Sequence, residues 1–348
     1  MRNRNLNRNL SFLKDLLRWF RKNKRDLPWR KNRTPYSVWI SEIMLQQTTV
    51  KAVIPFYEKW MKRFPDVRSV AKASEQEILR LWEGLGYYTR AKNILKASKI
   101  ISSQFQGQFP NDYKDAIKLP GIGSYTAGAI LSIAFGKPFP ILDANIKRVG
   151  QRILGGKSWN KKTEKRIMPW LRDAVSLVPP DEFNEGLMEL GQTICTSMGP
   201  MCPMCPIQRH CEALRKGIQD QIPAKKRNKP VLKKTWVLLI LCGDKILIQK
   251  RKQGVLKDLW SFPSLHCSED IPEFLKRSFG EKFHPAGVLS TRIHHYTKYR
   301  DQICPLVFRI DSIPLKKMKD SRWISLHDAE QYPFPSVYRK IFREMEGK

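Results

Sequence analysis

Apolar positions recur at helical spacing over the first two-thirds of the chain and then give way to a strand-like pattern. Residues 11–20, SFLKDLLRWF, are apolar but broken by charges, which predicts an amphipathic helix. Thr34-Pro35 supplies a capping hydroxyl and a first-turn proline ahead of an apolar run, so a helix is expected to open there. Residues 125–134 are rich in Ala and aliphatics and are stopped by Gly136 and Pro138; a further helix is expected from Ala144 to Leu154. A basic segment bounded by Pro223 and Pro230 reads as a linker. Beyond it, residues 235–242 and 245–250 flank Gly243-Asp244, a two-residue hairpin signal. Strands at 303–310 and 321–325 and helices at 271–279 and 336–346 complete the pattern. The expected fold class is a mainly α N-terminal domain (1–222), a linker (223–232) and a smaller α+β domain (233–348).

Composition narrows the class of partner. A chain of 348 residues with 41% hydrophobic content suits two globular domains. Its net charge of +32 excludes a neutral small molecule as the sole partner and points to a polyanion. Nucleic acid stands ahead of a membrane surface because no transmembrane segment stands out; a general lysine bias of the source proteome is the bland alternative. No apolar run follows the basic N-terminus at signal-peptide length. The expectation is a cytoplasmic protein, nucleoid-associated if bacterial, whose seven cysteines do not form a disulfide framework.

Four of those cysteines, Cys195, Cys202, Cys205 and Cys211, fall within seventeen residues, and such a thiol array in a reducing compartment implies a metal. Structural zinc usually presents two close pairs, and only one exists here. Elsewhere, Leu119-Pro120-Gly121-Ile122-Gly123 is an apolar, glycine-bearing turn before a helix whose opening N–H groups suit a phosphate. Asp143 precedes a helix and reads first as an N-cap. Glu42 has Val38 and Leu45 on its helical face; it is either a surface glutamate or a desolvated carboxyl fit to act as an acid. Residues 81–88, LWEGLGYY, form a glycine turn that either caps a helix or pushes Tyr87 into a base stack.

LPGIG followed about twenty residues later by Asp143 resembles the helix-hairpin-helix DNA glycosylases of the endonuclease III superfamily. LPWR, SEIMLQQT and GLGYY together resemble its adenine DNA glycosylases, the MutY type. The resemblance implies that the spacing of the four cysteines matches a [4Fe-4S] loop. It implies that Gly121 and Gly123 grip the DNA backbone, that Gln47 and Tyr87 wedge into the duplex, and that Thr48 lies near the opposite base. It gives Glu42 and Asp143 the catalytic roles, with Tyr125 and Asn145 in support, and places Trp29, Arg30 and Glu185 around the flipped base. Glu185 is nearly as readily a plain helix-surface residue. Bifunctional relatives carry a lysine at position 125; Tyr125 cannot form a Schiff base, so a monofunctional enzyme is expected.

Residues 259–263, LWSFP, resemble the Nudix-like (MutT-like) C-terminal domain of the same family, without the carboxylate-rich box that binds Mg²⁺. Where the family reads 8-oxoguanine with Phe-Ser-His, this chain has Tyr296-Thr297-Lys298. The implied activity is removal of adenine opposite 8-oxoguanine or guanine in double-stranded DNA, by a monomer, with no membrane partner. A thymine-mismatch glycosylase, a lyase and a non-catalytic redox-sensing DNA binder are the rivals, the last opposed by the intact Glu42 and Asp143.

Overall fold

The computed structural model describes residues 2–224, 230–254, 256–280, 283–296, 299–314 and 318–346. The chain divides into two compact units, residues 1–72 with 93–226 and residues 73–92 with 227–348. The second grouping is notable because it places a short N-terminal segment with the C-terminal part of the chain. No helix among the described residues is long and apolar enough to cross a membrane.

The first unit is all-helical. Its principal helices are α1 (Arg2–Asn23), α2 (Pro28–Lys31), α3 (Pro35–Leu45), α4 (Val50–Arg63) and α5 (Val67–Lys72). In the second unit lies α6 (Glu75–Leu81), and α7 (Thr89–Gln104) begins there and continues into the first. The first unit then continues with α8 (Tyr113–Ala116), α9 (Ser124–Ile133), α10 (Ala144–Leu154), α11 (Lys161–Val175), α12 (Pro180–Thr193) and α13 (Glu212–Arg215).

Local signals set the helix starts. Thr34 Oγ1 accepts the Ser37 N–H and Pro35 fills the first turn of α3. Asp143 accepts the Ile146 N–H at the start of α10, and Gly155 closes that helix at φ 68°. Helix α12 is buried from Phe183 through Gly191 and packs against α1, α9 and α10, so it forms the axis of the unit. Around it Leu13, Leu16, Ile146, Val149, Leu171, Phe183 and Leu187 make one core. Burying a side chain the size of Phe183 contributes about 1.5–3 kcal/mol. Close packing of α10 on α12 depends on Gly191, where an added Cβ would meet Asn145 Cβ at 2.6 Å.

The second unit is an α+β fold built on one sheet. Its strands are β1 (Val231–Cys242), β2 (Lys245–Lys250), β3 (Trp260–Ser261), β4 (Ser264–His266), β5 (Phe283–Val288), β6 (Arg292–Tyr296), β7 (Tyr299–Ile310) and β8 (Ser321–Ser325). The main path runs β3-β2-β1-β7-β5. Strands β1 and β7 are parallel, in register from Val231↔Tyr299 to Leu241↔Arg309, while β1 and β2 form the hairpin expected at Gly243-Asp244. Alternation along β1 sends Val237, Leu239 and Leu241 to one core and Leu238 and Ile240 to another. The first core is completed by α15 (Ser336–Glu346) and the second by α14 (Ile271–Phe279).

Candidate active site

One open cavity of about 940 Å³ lies in the first unit, lined among others by Trp29, Arg30, Glu42, Tyr125, Asp143 and Glu185. These six sequence candidates, from five chain segments, converge on one wall-to-wall site. Asn145, Gln47 and Thr48 also line it.

Glu42 is buried on α3 at 7% exposure. Burial raises its carboxyl to about 7; the negative charges of Asp143 and Glu185 add to the rise, while the Tyr125 hydroxyl and Arg30 oppose it. Tyr125 donates its hydroxyl to Glu42 Oε2 at 2.5 Å, and burial holds this phenol well above its ordinary range. Tyr125 therefore stays protonated and occupies one carboxyl oxygen. The other oxygen is left to carry the acid proton.

Asp143 serves two bonds at once. Its Oδ1 accepts the Ile146 N–H at 2.6 Å, and its Oδ2 accepts from Asn145 Nδ2 at 2.6 Å. Asn145 Oδ1 in turn accepts from Arg148 Nη2 at 2.9 Å, and Arg148 also donates to the Cys195 and Gly191 carbonyls. Capping and a functional position are thus compatible: the cap fixes a carboxylate at the cavity wall.

The third group is a network of half-buried arginines on two buried glutamates. Arg30 donates from Nε to Glu185 Oε1 at 2.8 Å, from Nη2 to Glu189 Oε2 at 2.9 Å and from Nη1 to the Arg25 carbonyl at 3.0 Å. Arg25 donates to both Glu189 oxygens. These cations, opposing the rise from burial, hold Glu189 below its ordinary value. Arg33 Nη2 lies 2.7 Å from Glu185 Oε2 without hydrogen-bond geometry, so this buried oxygen keeps acceptor capacity. Trp29 is buried edge-to-face against Tyr57, with centroids 5.4 Å apart.

The sequence reading missed Arg25, Glu189 and Arg148. For Glu189 a signal exists: it stands four residues after Glu185 and so shares its helix face. Arg148 carries a similar one, three residues after Asn145 on α10, whereas Arg25 has none, its partner Glu189 lying 164 residues away.

Other candidates stand outside the ionisable cluster, Gln47 still on the cavity lining. Gln47 holds φ 59° and Tyr87 φ 48°, a left-handed conformation uncommon outside glycine. Gly121 adopts φ 78° with Asn93 where its Cβ would be, at 2.7 Å, whereas a Cβ on Gly123 would meet nothing within 4 Å. Gly123 opens α9 and leaves that helix N-terminus open to an approaching group. In the second unit Tyr296 is described, with its hydroxyl donating to Asp301 at 3.2 Å. Thr297 and Lys298 lie outside the described residues.

The thiols of Cys195, Cys202, Cys205 and Cys211 are free and within electrostatic reach of one another. Burial pushes Cys205 up to about 12 and also raises Cys202 and Cys211. Donors already face the sulfurs. The Ile207 N–H is directed at Cys205, those of Leu214 and Ala213 at Cys211, and Arg152 Nη1 lies 3.1 Å from Cys195 Sγ. Arg152 is itself buried, and its Nη2 has no hydrogen-bond partner among the described residues. Among the described residues no group of three or more His, Cys, Asp or Glu side chains is arranged to hold a metal ion. Four thiols faced by N–H donors and a guanidinium make a donor set that suits an anionic group bound through sulfur.

Comparison with known proteins agrees with this geometry. Residues 40–173 match the HhH-GPD superfamily base excision DNA repair protein family, and residues 235–344 match the NUDIX domain. The adenine DNA glycosylase of Buchnera aphidicola subsp. Schizaphis graminum is 36% identical over 337 residues, covering 94% of this chain and 96% of the relative. The chain belongs to the adenine DNA glycosylases. The human adenine DNA glycosylase is 28% identical over 406 residues, spanning 97% of this chain and 74% of its own length. A solved thermostable thymine-DNA glycosylase is similar at 29% identity and a TM-score of 0.55, covering 61% of this chain and 99% of its own. Adenine DNA glycosylases hydrolyse an N-glycosyl bond in base excision repair, and the helix-hairpin-helix plus Nudix-like architecture read from the sequence is that of this chain.

Proposed function

We propose that this adenine DNA glycosylase is monofunctional and removes adenine opposite 8-oxoguanine or guanine from double-stranded DNA, acting as a monomer in the cytoplasm. The observation that carries the reading is the buried Glu42, raised to about 7 and fixed by Tyr125 in the same cavity as Asp143. An adenine turned out of the helix enters the cavity beside Trp29. The free acceptor oxygen of Glu185, held by Arg30 and Arg33, receives the exocyclic amine. Glu42 passes its proton to the purine as the N-glycosyl bond breaks, Asp143, its carboxylate kept in place by Asn145, stabilises the cationic sugar, and water adds to that sugar and releases a proton. Gln47 intercalates, Thr48 lies near the opposite base, Tyr87 wedges into the duplex, and the open N-terminus at Gly121–Gly123 takes a backbone phosphate. Tyr296, Thr297 and Lys298 read the base opposite. In functional terms the glycosylase domain spans 1–222 and the lesion-reading domain 233–348, joined by a linker at 223–232.

Incubation with duplexes carrying adenine opposite 8-oxoguanine, guanine, cytosine or thymine, and with a G·T mismatch, tests this. Adenine release is expected opposite 8-oxoguanine and guanine, with strand scission appearing only after alkali. Release of thymine, or scission without alkali, would refute it.

Cys195, Cys202, Cys205 and Cys211 would hold a [4Fe-4S] cluster, which shapes the basic loop as a structural element. The purified protein is expected to be brown with about four irons per chain, and Cys202→Ser should lower iron content and DNA affinity together. One zinc and no iron would overturn the assignment.

A further inference from the structure

The loop that presents Tyr87 is built into the second unit, whose lesion-reading strands lie far along the sequence. Glycines at φ 105° (Gly84) and 70° (Gly86) fold it, and Tyr87 stays 38% exposed beside buried Leu85 and Tyr88. Arg90 lies over the Tyr87 ring at 5.6 Å and donates to the carbonyls of Leu85 and Gly86, both at 3.1 Å. What fastens this loop is an ion pair. Arg339 on α15 donates from Nε and Nη2 to the two oxygens of Glu83 at 2.7 and 2.8 Å, each side chain about 15% exposed. The guanidinium is locked in turn by the carbonyls of Ala329 at 2.9 Å and Tyr332 at 2.8 Å. Two further tethers flank it: Gln76 reaches the Gln331 carbonyl at 2.8 Å, and Lys92 pairs with Asp258.

A bidentate pair fixes orientation as well as distance, and this one joins the residue four before the loop's left-handed non-glycine to helix α15. We infer that the Glu83–Arg339 pair is a positioning device through which the C-terminal α+β fold sets the Tyr87 wedge. This rests on the reading of Tyr87 as a wedge. Neither residue touches the reacting atoms. Their effect passes through the loop, so the base-reading domain and the wedge act as one body.

The test places 2-aminopurine next to the mispair and follows its fluorescence when the full-length protein binds. Wild type should brighten it by unstacking the neighbouring base, and Tyr87→Ala should abolish the rise. Glu83→Arg and Arg339→Glu should each lose most of the rise and slow adenine release about tenfold, and the double variant should lose far less than the product of the two, as coupled contacting charges do. Melting temperatures identify any variant that does not fold; for those, Glu83→Gln and Arg339→Met keep side-chain size and carry the same expectation. If Tyr87→Ala keeps the rise, the wedge reading fails. If Tyr87→Ala loses it but the charge variants keep it, or the two losses multiply in the double variant, the positioning role fails alone.

Discussion

Replacing Glu42 with glutamine is expected to cut single-turnover adenine release by about 10²–10⁴-fold, the range for loss of a general acid, while mispaired DNA still binds. Glutamine keeps the shape of the side chain and an oxygen for the Tyr125 hydroxyl, but it has no acid proton. The pH profile supplies an independent check. Burial, with Asp143 and Glu185 nearby, raises the Glu42 carboxyl from 4.5 to about 7. Its proton is therefore present below about 7 and lost above it. Wild-type release should fall roughly tenfold per pH unit on the alkaline side, and the glutamine variant should lack this limb. Stability follows the same sign: a raised acid costs the folded state as pH climbs from 4.5 to about 7. Above that range the glutamine variant should melt no lower than wild type. Release at the wild-type rate by Glu42→Gln, or an unchanging wild-type rate at high pH, would remove Glu42 from the mechanism.

Asp143→Asn is expected to be the second severe loss, by about 10²–10³-fold, as for removal of a preorganised electrostatic stabiliser. Asparagine caps a helix about as well as aspartate, so the Ile146 N–H keeps its acceptor. The new amide nitrogen would face Asn145 Nδ2 unless Asn145 flips. A flip costs Asn145 its bond from Arg148, about 1 kcal/mol. A small drop in melting temperature beside a large loss of rate separates the sugar-stabilising charge from the cap. Wild-type rates in Asp143→Asn would leave Asp143 a cap only.

Much of the architecture is legible because its causes are local. Thr34-Pro35 starts α3, Asp143 starts α10, and Gly243-Asp244 turns β1 into β2, each by chemistry confined to a few neighbouring residues. Elements ran longer than expected where tertiary pairing extends them. Strand β1 begins at Val231 because Val231↔Tyr299 opens its parallel ladder, although exposed Lys233 and Lys234 break the alternation. Helix α1 likewise spans Arg2–Asn23, beyond the apolar core of residues 11–20. In the site, position alone left Asp143 a cap and Glu42 a surface glutamate, and the resemblance gave them their roles; Glu189 acquires meaning only from Arg25 and Arg30, which the fold brings to it. The grouping of residues 73–92 with the C-terminal fold had no local sign, since Glu83 does not differ in sequence from any solvated glutamate.

The 256-residue separation of Glu83 and Arg339 in the chain also sets an order of events at the ribosome. At about 5–20 residues per second, the Glu83 loop waits on the order of tens of seconds for its helix to be made. Once residue 226 is made, the first unit has all its sequence, whereas Tyr88 still lacks the Phe334 carbonyl and Glu83 its cation. The polypeptide thus carries an unfinished segment in its middle until its final helix emerges. A message cut short anywhere before α15 yields a chain whose N-terminal third is itself incomplete.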